Sequence, residues 1–112
     1  MRWEPFEGGK SNAEAGSEAG TIVFDEEYGE SSRITLERDC KSAPFAITCG
    51  VYGWMVHTRF FADEGEAIEQ YEAMKEGLSG IADGLSMDSC REETVHVMAV
   101  TEAIRDFLKR FP

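Results

Sequence analysis

The chain has 112 residues, 22 acidic and 11 basic side chains, and a net charge of −11. That length fits one domain, and an apolar share of 42% is too high for a wholly disordered chain. No basic stripe is present, which argues against nucleic acid and against an anionic membrane surface as partners.

The start, Met1-Arg2-Trp3-Glu4-Pro5, is not followed by the 7–15 apolar residues of a secretory leader. No run approaches the roughly 18 apolar residues of a membrane span. Cys40, Cys49 and Cys90 are odd in number and lack a pairing pattern. The expectation is a cytoplasmic protein with reduced thiols.

Residues 1–20 read as a flexible segment preceding a single domain over 21–112. The stretch 10–20 is KSNAEAGSEAG, with no large apolar side chain to offset its ordering entropy. Trp3 and Phe6 are the exceptions, free either to dock on the domain or to stay in solvent.

From Thr21 the texture changes. Residues 21–28 and 33–40 have strand character, with Gly29-Glu30-Ser31-Ser32 as turn material between them. Ile22, Phe24 and Tyr28 share one parity, and so do Ile34 and Leu36. Bringing both sets to one face requires an odd loop of three or five residues.

Residues 44–62 read PFAITCGVYGWMVHTRFFA, either one bent strand or a hairpin turning at Gly50-Val51-Tyr52-Gly53. A two-residue loop at Val51-Tyr52 sets Cys49 opposite Trp54 and Ile47 opposite Val56. It gathers Phe45, Ile47, Cys49, Trp54, Val56 and Phe60 on one side, which favours that register.

Asp63 and Glu66 have capping-box spacing, and Ala67, Ile68, Tyr71, Met74, Leu78 and Ile81 recur at helical spacing. This helix should end near Asp83-Gly84, with Gly77 or Gly80 as earlier stops. A second capping box at Ser89-Cys90-Arg91-Glu92 precedes Val97, Val100, Ile104, Phe107, Leu108 and Phe111. A second helix is favoured, although residues 94–100 also have strand character. The expected fold is α+β, a two-layer sandwich: a four-stranded antiparallel meander with two carboxy-terminal helices on one face.

The favoured register turns Val23, Met55 and Phe61 to the other face of the sheet. Beside them it sets Thr48, His57 and Arg59, and Asp25-Glu26-Glu27 reads as solvated charge. Thr48, Met55, His57, Arg59 and Phe61 are therefore the expected binding residues, on a face too apolar to be purely solvated. His57 is the first residue to suspect of chemistry. Cys40, next to Lys41, is the better thiol, and Cys90 at a helix start is similar. The Cys and His spacings form no zinc pattern and residues 83–88 no calcium loop. No phosphate loop is present, so no cofactor or metal is expected.

The reading that follows is a non-enzymatic protein-interaction module, with a basic protein or a second copy as partner. One alternative is a small-molecule binder or enzyme using His57 and Arg59. The other is a self-associating structural subunit.

Overall fold

The structure, a computed structural model, describes residues 2–87 and 93–112, with side-chain surroundings given outside residues 85–95. Its strands are β1 (Trp3–Pro5), β2 (Thr21–Tyr28), β3 (Ser32–Arg38), β4 (Phe45–Val51) and β5 (Met55–Phe61). Its helices are α1 (Glu64–Met87) and α2 (Glu93–Arg110). The strands form one antiparallel meander in chain order, and both helices lie on one of its faces. This is the expected two-layer α+β architecture, with five strands instead of four.

The added strand is β1. Trp3 pairs with Tyr28 and Pro5 with Glu26, and the Trp3 and Tyr28 rings meet at 5.2 Å. Residues 3–5 are therefore part of the sheet. A three-residue strand is too short to show periodicity, and the low apolar content of residues 10–20 concealed it.

The loop between β2 and β3 has three residues, since Tyr28 pairs with Ser32. Phe24, Ile34 and Leu36 thus share the helix-covered face. A register shift between Ile22 and Phe24 sends Ile22 to the far face, opposite Glu37.

The β4–β5 register differs from the expected one. Val51 pairs with Met55, Cys49 with His57 and Ile47 with Arg59, leaving a three-residue loop at 52–54. The Trp54 N–H donates to the Val51 carbonyl at 2.9 Å, and Gly53 has φ +81°. That is a type II turn, which needs glycine at its third position. The one-residue slip turns Met55, His57, Arg59 and Phe61 toward the helices. Val56 and Phe60 go to the far face.

The core-side polar residues are accommodated because β5 is the sheet edge and the end of the chain runs beneath it. His57 Nε2–H donates to the Phe111 carbonyl at 2.7 Å, and Arg59 Nε donates to the Pro112 carbonyl at 3.1 Å. The Arg59 guanidinium also reaches Gln70 Oε1 at 2.8 Å and lies over the Phe61 and Phe111 rings.

Asp63 caps helix α1, its carboxylate accepting the Glu66 N–H at 2.9 Å. Ala67, Tyr71, Met74, Leu78 and Ile81 then form a buried stripe over Ile34, Leu36, Ile47, Cys49 and Val51. Each large side chain removed from water there contributes about 1.5–3 kcal/mol. The helix does not stop at Gly84 but continues to Met87. Gly77 marks a crossing: an added Cβ would lie 3.0 Å from the Phe107 ring of α2, so hydrogen is what lets the helices approach. Residues 93–110 are helical, so the strand reading of 94–100 is set aside. The capping box at Ser89 falls outside the described residues.

Candidate interaction surface

The far face of the sheet has two halves of opposite character. Over β2 and β3 it is covered by residues 6–20. Asp25 is 2% exposed yet fully partnered. Its carboxylate takes two bonds from Arg33 at 2.6 and 2.9 Å, one from Ser11 Oγ at 2.7 Å and one from Thr35 Oγ1 at 3.0 Å. Burial pushes its pKa up, but the bonds from Arg33, Ser11 and Thr35 outweigh this and hold it below the usual value. The Phe6 ring lies under the Arg33 guanidinium at 3.6 Å.

Glu37, 0% exposed, is the second anchor. Its carboxylate accepts the backbone N–H groups of Glu18 and Gly20 at 3.1 and 3.2 Å. The segment also borrows backbone pairing from β2, through Ala13 N–H to Ile22 O and Ile22 N–H to Glu14 O, both at 2.9 Å. Its cost is local: Glu7, Ala13 and Ala19 all take left-handed backbone at φ +49°, +67° and +62°.

The acidic run of β2 is thus employed rather than solvated. Glu26, on the helix side, accepts Tyr71 Oη at 2.8 Å and Lys75 Nζ at 3.0 Å. Glu27 accepts Tyr52 Oη at 2.7 Å. Burial and this bond push the Tyr52 phenol up to about 12, so it remains a donor at neutral pH.

Over β4 and β5 the far face is open. Val56 is 80% and Phe60 49% exposed, and the exposed Tyr52 follows in the turn. Between this turn and residues 15–17 lies a groove of about 660 Å³. Its floor includes Ile22, Thr35, Thr48 and Gly50. The Thr48 and Thr58 hydroxyls bond each other at 3.3 Å. Several acidic residues neighbour the lining in sequence or by hydrogen bond. Glu14 and Glu18 flank residues 15–17 in the chain, Glu27 holds Tyr52, and Glu30 precedes Ser31, whose carbonyl accepts the Tyr52 N–H. The groove's one cation, Arg33, is bonded to Asp25.

Of the five expected binding residues, Thr48 alone has its side chain on this surface. Met55 is partly buried against the core and Phe61 is buried, while His57 and Arg59 are bonded beneath β5. Val23, also expected on the far face, packs against the core at the register shift. The surface residues missed were Val56 and Phe60, and Gly53 was the signal that could have found them. His96 meets the Trp54 ring edge-on at 6.2 Å.

The two described thiols, Cys40 and Cys49, are not activated. Burial pushes Cys49 up to about 12. Cys40, next to Lys41, is nonetheless raised by burial and then by Glu37, Glu18 and Asp39. Cys90 lies outside the described residues. Among those described, no helix is long and apolar enough to cross a membrane. Compared with family models, curated proteins and solved structures, the chain finds no match in any of the three.

Proposed function

We propose that this chain is a non-enzymatic interaction module that binds a basic protein through the open half of the far face. The observation that carries the reading is the exposure of Val56 and Phe60 beside a groove of about 660 Å³ in a strongly acidic chain. Contiguous apolar groups ringed by polar ones are the usual make-up of a contact surface. The net charge of −11 adds long-range attraction for a cationic partner and speeds encounter. The proposed setting is the cytoplasm, where the free thiols of Cys40 and Cys49 stay reduced.

The test is binding of a set of small basic and acidic proteins to wild type and to Val56→Lys/Phe60→Lys, at low and high salt. The expected outcome is retention of basic proteins only, weakened by salt and abolished by the double substitution. Retention of acidic proteins to the same degree, or retention untouched by the substitutions, overturns the reading. A second reading is small-molecule binding, which draws on a groove volume within the ~300–1,000 Å³ of ligand pockets. It predicts that small aromatic compounds shift the Thr48 and Gly50 amides in the absence of any protein partner.

A further inference from the structure

We infer that β5 is a docking edge, to which a partner adds an extended segment as a sixth strand, with apolar residues along its far-face side and lysine or arginine at one end. The inference rests on the reading above and specifies how the partner is held.

The two edges of this sheet are built differently. β1 is three residues long, ends in Pro5, and leads into the turn at Phe6–Gly9. Short edges and proline are devices that stop a further strand from adding. β5 has none of them. It is seven residues long, its pairing with β4 runs from Phe45↔Phe61 to Val51↔Met55 without a register shift, and it contains no proline. Among the described residues, no backbone group other than those of β4 bonds to it. Alternate residues along it therefore turn N–H and C=O groups outward with no protein partner.

Its side chains favour addition on the same side as the groove. Val56 and Phe60 stand on the far face, where an incoming strand's apolar residues would cover them as cross-strand neighbours. The one inward cation, Arg59, does not bar the edge, because its guanidinium is held by Gln70 and Pro112. Charge selects the occupant. Exposed Asp63, Glu64 and Glu66 follow directly at the Phe61 end of the strand. A cationic end of the added segment would lie against these carboxylates. A second copy of this acidic chain would instead bring more carboxylates to them.

The experiment uses the full chain and three synthetic peptides, followed by amide NMR and by hydrogen exchange of β5. The first is an alternating valine–threonine strand with two lysines at one end. The second carries N-methyl groups on alternate backbone nitrogens, which removes its ability to pair. The third has glutamate in place of lysine. The expected result is saturable binding of the first, with slowed exchange of β5 amides, and loss of at least about tenfold in affinity for each of the others. Equal binding of the N-methylated peptide overturns strand addition while leaving the interaction surface standing. Equal binding of the glutamate peptide overturns the charge assignment. If none binds and mass instead doubles with concentration as salt is raised, the edge serves a second copy and the inference is wrong.

Discussion

The two halves of the far face use the same sheet for opposite ends. Over β2 and β3, carboxylates are buried and consumed internally, tying residues 6–20 down through Asp25 and Glu37. Over β4 and β5, Val56 and Phe60 are exposed, and the Thr48 and Thr58 hydroxyls bond each other. In the covered half buried charges close the fold, and in the open half the apolar side chains of Val56 and Phe60 stay exposed.

The comparison breaks most sharply at Asp25. Replacing it with Ala leaves Arg33 partly buried without its partner and should cost about 3 kcal/mol in denaturant unfolding, since broken buried pairs are expensive. The same change should raise protease sensitivity within residues 6–20. If stability is unaffected, the covered half is not held as described. Acid probes the same group. Because Asp25 has a folded pKa below its ordinary value of 3.8, its stabilising contribution is complete above that value. It should be lost as pH falls below about 4, through the still lower folded pKa. Comparing the pH dependence of unfolding in wild type and in D25N would isolate it; identical profiles would refute the assignment.

Smaller effects sharpen the contrast. Ser11→Ala removes one hydroxyl bond to a carboxylate that keeps three others, an expected loss of about 1 kcal/mol by chemical unfolding. Ala13→Gly relieves left-handed strain but frees the unfolded chain, and should stabilise by about 0.5 kcal/mol. In the open half, Phe60→Ser should move stability by no more than about 0.5 kcal/mol, as exposed positions do. A loss several times larger by the same measurement would mean that Phe60 is structural and the surface is already in use.

Much of the fold was legible because it is periodic. The span of β2, the odd loop after it and the buried stripe of α1 all follow from spacing. The hairpin register was not, for a physical reason. The parity rule assumes that the more apolar side faces the core, but an edge strand can place His57 and Arg59 inward if carbonyl acceptors reach them. Those acceptors, on Phe111 and Pro112, lie more than fifty residues away in sequence. Gly53 carried the opposing local signal, through its fitness for a type II turn. Spacing consequently gives the far face Met55, His57, Arg59 and Phe61, where the structure sets Val56 and Phe60. The covered half was illegible for a related reason: Ser11, Glu18 and Gly20 contribute a hydroxyl and backbone N–H groups, which no apolar pattern records.

The meander itself bears on how the chain reaches this state. From β2 to β5, each strand pairs with its predecessor across a connection of a few residues, so sheet assembly closes only short loops. Low sequence separation between contacting residues favours rapid folding. The exceptions are β1, which must loop back over residues 6–20, and the clasp of His57 and Arg59 on the chain's last residues. Both closures span longer stretches than the hairpins do and should form late. In kinetic terms, substitutions within the β3–β4–β5 hairpins should slow folding, whereas those in β1 or at Phe111 should chiefly quicken unfolding.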